Sequence, residues 1–327
     1  MKIFVGYNVE QNIIKKSSSG GAFSAVTDYY FDSKDNVVVY GSIMTEDLKV
    51  EYIKATNKKD RDLMRGSKYI QANIKNTFQN IEKDILHDKY VIFIGTPCQV
   101  AAVRKYIKYR NLKSEKVLII DFVCHGVSEE KFFRDYIIDK EKSYNSKAIN
   151  CNFRTKKKRG KLQDMEITFK NGKKYYSSTS KFDWFYSVYQ ANLVMKKACY
   201  SCPFANLERN SDITLGDAWG FNVNGCESPS LIIANTLLGE KIIRELYERY
   251  MKLIEINVDE FNVPLNLREP TPKPVIYDEF WKIYNTDGYL EMQRYFGNNT
   301  IIRKLEKKIV ESLDKLGIVY LLKKLKK

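Results

Sequence analysis

Four of the six cysteines sit where thiolates could act together. Cys199 and Cys202 form a Cys-x-x-Cys pair, while Cys98 and Cys124 are singles 26 residues apart. A cubane iron-sulfur cluster takes one terminal thiolate per iron, commonly from such a pair plus others. A structural zinc ion also takes four thiolates, usually as two close pairs. The plain alternative is that Cys98 and Cys124 are small core residues and only the pair matters, and on spacing alone the three readings stand level. Cys151, inside an expected strand, and Cys226, in an expected loop, belong to no such pattern. Cys98 with His125 would also suit a nucleophile and its base, because a helix N-terminus lowers a thiol's pKa. Against that, no motif places an Asn or Asp to orient the imidazole.

Two further segments have the chemistry of an anion site. Ser17-Ser18-Ser19-Gly20-Gly21 offers hydroxyls and close-approach backbone amides at an expected helix start, which suits a pyrophosphate. Arg65-Gly66-Ser67-Lys68-Tyr69 adds two cations, a hydroxyl and an aromatic ring. Separately, a helix cap and a surface turn are the more common explanation of two such segments. Asp60-Arg61-Asp62 has the Asp-x-Asp form with which many glycosyltransferases hold a metal and a sugar diphosphate. It is also the ordinary form of a charged first helical turn, where acids favour the dipole. No G-x-G-x-x-G or Walker pattern is present.

These residues need elements to position them. Small and aromatic residues recur at helical spacing from Gly20 to Tyr30, behind three serines that can cap a helix. Strands are expected at Val37 to Gly41 and Glu51 to Ala55, a short helical turn at Asp60 to Met64, and an amphipathic helix from Ile74 to Leu86. Tyr90 to Ile94 and Val117 to Ile120 are continuous apolar runs separated by a helix through Tyr106, the signature of a parallel βαβ unit. That topology puts Cys98 and Cys124 just beyond the carboxyl ends of two strands, the edge where open α/β sheets collect ligands. A helix follows from Ser128 to about Lys142. Antiparallel strands are expected from Ala148 to Ser178, turning at Asn171-Gly172, then an aromatic helix over Phe182 to Met195. The loop from Cys199 to Pro203 is expected to be irregular, with a strand at Leu231 to Asn235 and a helix at Glu240 to Leu253 beyond it.

Composition narrows the function classes. The 327 residues are 44% hydrophobic and 29% charged, enough to bury a core and unlike a disordered chain. The longest uncharged stretch, Tyr90 to Val103, is 14 residues and interrupted by polar ones, too short for a spanning helix. The N-terminus shows no secretory pattern, so a cytoplasmic location is expected, where cysteines serve as ligands or core residues rather than disulfides. The formal charge of +15 invites a nucleic-acid partner, yet no nucleic-acid module is present and none is expected to bind. Part of the excess lies in residues 301–327, with nine basic and three acidic residues. Ile302, Leu305, Ile309, Leu313 and Leu316 form a stripe there that would pack on the body or contact an anionic membrane peripherally. Arg154, Lys156, Lys157, Lys158, Arg159 and Lys161 form a second basic cluster, expected in a hairpin loop.

Taken in order, Ser17 to Phe23, Arg65 to Tyr69, Gly95-Thr96-Pro97-Cys98-Gln99, Cys124-His125-Gly126, Cys199-x-x-Cys202 and Ser211 to Gly220 resemble the coenzyme F420 hydrogenase/dehydrogenase beta-subunit family. The resemblance covers roughly two-thirds of the chain. It implies an α/β fold with α+β elements: a parallel βαβ core, an antiparallel hairpin insertion, a cysteine-bearing loop and a C-terminal helical region. The implied domains are residues 1–88, residues 89–255 with the cysteines, and an extension over 256–327. It also implies FAD and a [4Fe-4S] cluster. Cys98, Cys124, Cys199 and Cys202 match the family's motif cysteines. Ser18, Ser19, Gly20, Gly21, Arg65, Gly66, Ser67, Lys68, Tyr69, Gly95, Thr96, Pro97, Gln99 and Asp217 match its cofactor-site motifs. His125 becomes the candidate proton donor.

The implied reaction is electron transfer between a reduced carrier, ferredoxin or deazaflavin-like, and a small-molecule or glycan-intermediate substrate. Many bacterial relatives carry an N-terminal ferredoxin-like segment, whereas this sequence starts just downstream of where it would end. A separate ferredoxin is therefore expected to supply electrons, unless that input has been lost. Similar bacterial members often accompany capsule or exopolysaccharide genes. The competing readings are a polysaccharide-biosynthesis transferase and a non-catalytic assembly partner on a decayed redox fold. All four candidate ligands are retained, which a decayed site would not require.

Overall fold

Apolar runs without helical period become strands, and stripes at spacings of three and four become helices. The computed structural model describes residues 1–156, 164–177, 183–221, 223, 226, 228–257 and 261–297. In chain order it begins β1 (Lys2–Asn8), α1 (Gln11–Lys16), α2 (Ala22–Ser33), β2 (Val37–Met44), β3 (Val50–Ala55), α3 (Lys58–Asp62), α4 (Thr77–Leu86), β4 (Tyr90–Gly95), α5 (Pro97–Tyr109) and β5 (Val117–Phe122). It continues α6 (Glu130–Tyr144), β6 (Ala148–Thr155), β7 (Asp164–Phe169), β8 (Lys174–Tyr176), α7 (Trp184–Gln190), β9 (Ile213–Asp217), β10 (Ser230–Ala234), α8 (Leu237–Leu246), β11 (Met251–Ile256), α9 (Tyr277–Thr286) and α10 (Gly288–Phe296).

Two units emerge. Met1–Gly126 with Ser201–Thr271 forms the first, and Val127–Tyr200 with the described residues from Pro272 forms the second.

The first unit holds an eight-stranded mixed sheet in the order β11-β1-β10-β9-β5-β4-β2-β3. Pairs β2/β4, β4/β5 and β5/β9 are parallel, so the expected β4-α5-β5 crossover is present. Central strands are covered on both faces, and Val91, Ile92, Phe93, Leu118, Ile119 and Ile120 are all 0% exposed. The pleat sorts them: Ile92, Leu118 and Ile120 pack with α2 and α8, while Val91, Phe93 and Ile119 pack with α4 and α5.

One expectation fails here, and one strand was not foreseen. The helix expected to run to Leu253 stops at Leu246, because Glu248 takes a positive φ of 63°, and Met251–Ile256 instead pairs antiparallel with β1. The N-terminal segment, unassigned from sequence, is β1, clamped between β10 and β11.

In the second unit β6, β7 and β8 form an antiparallel sheet, and Gly172 supplies the left-handed turn at φ +79° expected at Asn171-Gly172. Its core is aromatic, with the Phe132 ring centroid within 6.5 Å of those of Trp184, Phe185, Phe280, Trp281, Tyr284 and Tyr289. The aromatic helix is shorter than expected, since Asn192 at φ +61° ends it. The segment Lys197–Ser201 is a 3-10 turn rather than irregular loop. Of the basic cluster, Lys157, Lys158, Arg159 and Lys161 lie outside the described residues, as does the 301–327 tail. No described helix is long and apolar enough to cross a membrane.

Candidate functional site

The serine-glycine segment is folded against the end of the sheet. Asn8 N–H donates to Gly20 O at 2.7 Å, and a Cβ on Gly20 would stand 2.5 Å from Gly6 O and 2.7 Å from Ser230 N. Only glycine fits that approach. Ser19 Oγ lies 3.1 Å from Ser230 Oγ, and Gly21, at φ +89°, turns the chain into α2.

Hydrogen bonds then join this segment to Arg65–Tyr69, 49 residues away at the nearest pair. Ser18 Oγ accepts from Ser67 N–H at 3.0 Å and lies 3.0 Å from Ser67 Oγ. Arg65 Nε donates to Ser24 Oγ in α2 at 2.8 Å, while its Nη2 pairs with Asp62 at 2.6 Å. Gly66 takes φ +86° and Tyr69 follows the turn. Lys68 Nζ donates to Met64 O at 2.7 Å and Arg65 O at 3.1 Å. Burial pushes its pKa down to about 7. Two hydroxyls and two cations thus gather beside the start of a 12-residue helix, a combination suited to a multivalent anion.

The second group stands at the carboxyl edge of the parallel strands. Gly95 pairs in register with Asp121, so Cys98 and Cys124 each follow that rung by three residues. Thr96 and Gln99 form a capping box around Pro97, with Gln99 Oε1 accepting from Thr96 N–H at 3.1 Å. Tyr52 Oη lies 2.9 Å from the same Oε1. A Cβ on Gly95 would stand 2.5 Å from Tyr52 Oη, which accounts for that glycine. Cys98 is exposed in the first turn of α5, its Sγ 3.2 Å from Thr96 Oγ1. Thr271 Oγ1 donates to the backbone oxygen of His125. Cys202 lies in the first unit, and Cys199, whose N–H donates to Lys196 O at 2.8 Å, in the second. No disulfide links any of the six cysteines, and Cys151 and Cys226 are buried. Burial pushes the Cys151 thiol well up. Among the described residues no three His, Cys, Asp or Glu side chains stand together as a metal site.

The family model for the coenzyme F420 hydrogenase/dehydrogenase beta subunit N-terminus matches residues 3–78, and the one for its C-terminus matches residues 88–259. The chain belongs to the coenzyme F420 hydrogenase/dehydrogenase beta-subunit family. This is a family of oxidoreductase subunits. The fold is similar to that of a chain in a structure of the F420-reducing [NiFe] hydrogenase complex from Methanosarcina barkeri. The two share 17% identity and a TM-score of 0.55, over 82% of this chain and 85% of that one. No curated protein matches the sequence.

Within this beta-subunit-family chain, the Ser211 to Gly220 motif is largely consumed by structure. Thr214 donates to Asp121 Oδ1 at 2.6 Å, and Asn235 Nδ2 donates to Ser211 Oγ at 3.0 Å and Thr214 Oγ1 at 2.9 Å. Asp212 accepts from Ile119 N–H at 2.8 Å and pairs with Arg104 at 2.7 Å. Asp217 closes β9 opposite Ser230.

Sequence reasoning missed two buried arginines. Arg61, 1% exposed, pairs with Asp28 of α2 at 2.6 Å and Asp62 at 2.9 Å, and donates to Ser24 O at 3.0 Å and to Thr27. It ties α3, and thereby Arg65, to the helix that starts at the serine-glycine turn. Of the Asp-x-Asp carboxylates, Asp62 is held by Arg61 and Arg65, and Asp60 accepts from Asn57 Nδ2 at 2.7 Å. Asp60 lies in the first turn of α3, as the charged-turn reading expects, whereas Asp62 is the last residue of that helix. Arg209, 2% exposed, pairs at 2.7 Å with Asp121, itself 1% exposed. Burial pushes the Asp121 carboxyl up, opposed by Arg209 and by the hydroxyls of Thr214 and Ser211. The only local signal for either pair was its acid, Asp28 between Thr27 and Tyr29 and Asp121 between Ile120 and Phe122, since the arginines themselves sit among charged or polar neighbours.

Proposed function

We propose that this chain is a flavin-dependent electron-transfer subunit, working between a reduced carrier, ferredoxin or deazaflavin-like, and a small-molecule or glycan-intermediate substrate. The single observation that carries this reading is the joining of Ser18 with Ser67 and of Arg65 with Ser24 at the start of α2, with Lys68 bonded to the Arg65 carbonyl beside them. FAD carries a pyrophosphate that matches this set of donors, and when bound it supplies two-electron chemistry with one-electron steps. Arg65 and Lys68 would offset the phosphate charge, with the hydroxyls of Ser18 and Ser67 as donors. An arriving anion would draw a proton onto Lys68, whose pKa of about 7 leaves it half charged at neutrality. Gly66, with nothing within 4 Å of where a Cβ would stand, leaves the backbone open on its side of the site. His125, beyond β5, is the proposed proton donor, and a polysaccharide-biosynthesis substrate is proposed from the bacterial members the sequence resembles.

Cys98, Cys124, Cys199 and Cys202 are the proposed ligand set for a [4Fe-4S] cluster, supported by type, number and match to the family motifs. The test is anaerobic purification with flavin, iron, zinc and sulfide analysis, followed by reconstitution. About one FAD per chain, lost in Arg65→Met and Lys68→Met, supports the reading. A wild-type chain that takes up no flavin overturns it.

A further inference from the structure

We propose that Arg209 is the positioning residue of the cysteine site, holding the loop that begins at Cys202 against the strand end that leads to Cys124. Its guanidinium faces two ways. Nη1 donates to Phe204 O at 3.0 Å and Asn206 O at 3.1 Å, two and four residues after Cys202. Nη2 donates to Asp121 Oδ2 at 2.7 Å and lies 3.5 Å from Phe122 O, three and two residues before Cys124. Asp121 is fixed in turn by Thr214 of β9, so the anchor is the sheet itself. Within the loop, Asn206 Nδ2 donates to Pro203 O at 2.8 Å and Ala205 N–H reaches Cys202 O at 3.4 Å. The loop is therefore a closed turn whose outward carbonyls converge on one side chain.

Stability alone does not explain this choice. A buried ion pair is often no more stabilising than apolar residues of the same volume, and its best-attested role is to specify one arrangement. Arginine suits that role because its rigid planar fork presents donors to the carboxylate on one side and to the carbonyls on the other, whereas an ammonium gathers its three donors on one flexible point charge. Arg209 Nε is also buried without a hydrogen-bond partner among the described residues, so the guanidinium is held by the loop and the strand end on its other nitrogens only. The inference rests on the proposed joint role of Cys124 and Cys202, and it concerns the protein without metal.

The test is a short bis-maleimide crosslink between Cys124 and Cys202 in the metal-free full-length chain, read by mass spectrometry of tryptic peptides, with iron uptake measured in parallel. Arg209→Met combined with Asp121→Asn leaves no unpaired buried charge, and circular dichroism checks that the variant is folded. It should lower the crosslink yield at least tenfold. Arg209→Lys keeps the charge but not the fork, and should lower the yield severalfold in a folded chain. A wild-type chain that does not crosslink, or either variant crosslinking at the wild-type level, overturns the proposal. A wild-type chain that crosslinks, loses the link in the variants and takes up no iron supports the positioning role while overturning the cluster assignment.

Discussion

Arg61→Met tests whether a buried arginine holds the proposed anion site together. The substitution removes donors to Ser24 O, Thr27 and Asp28 and to Asp62, while the methionine fills much of the volume. Breaking a buried pair by deleting one partner costs about 3–5 kcal/mol because the other charge is left uncompensated. Here the lower end applies, since Lys58 Nζ remains 3.8 Å from Asp28 and Asp62 is more than a third exposed. A loss of about 3 kcal/mol, at ~2–4 °C per kcal/mol for a unit of this size, lowers the midpoint of thermal unfolding by about 6–12 °C. Circular dichroism on the purified chain reads it directly. The double variant Arg61→Met with Asp28→Asn removes the orphaned charge and should recover at least half of the loss. A single variant that melts within about 2 °C of wild type, or a double variant no better than the single, would refute the reasoning, since on the same scale either implies under ~1 kcal/mol of coupling.

Gly20→Ala drives a Cβ to within 2.5 Å of Gly6 O and 2.7 Å of Ser230 N, both backbone, so it should cost about 1–3 kcal/mol in denaturant unfolding, and a neutral result would remove the close-approach argument. For Lys68, with a pKa of about 7 in the ligand-free chain, affinity for a diphosphate such as ADP should rise as pH falls through 7 and weaken above it. Lys68→Met should flatten that dependence in calorimetric titrations, and an unchanged slope would dismiss Lys68 as the titrating group. The same depression makes folding stability rise with pH between about 7 and the ordinary 10.5, because the unfolded lysine stays protonated in that window. Cys98→Ser and Cys202→Ser should each at least halve the iron retained after anaerobic reconstitution, whereas Cys151→Ser, buried in β6, should leave it unchanged. Equal iron in all three would end the ligand assignment.

The centre of the sheet was legible because β4 and β5 are covered on both faces, and burial on both faces leaves a continuous apolar run that any local reading detects. The turn at Asn171-Gly172 and the glycine at the start of α2 were legible for a similarly local reason: each needs positive φ, which few residue types supply. Edge strand β11 was not legible. Met-Lys-Leu-Ile-Glu-Ile is only half buried, and its apolar residues continue the spacing of α8, so nothing short of pairing with β1 distinguishes strand from helix. The sequence by itself determined which residue types stand at the strand ends and at the head of α2. Only the tertiary structure decided which of them meet: Ser18 with Ser67, Arg61 with Asp28, Arg209 with Asp121. Those partners are separated by 33 to 88 residues, and a charge reads as solvent-facing until the chain crossing that buries it also brings its counter-charge.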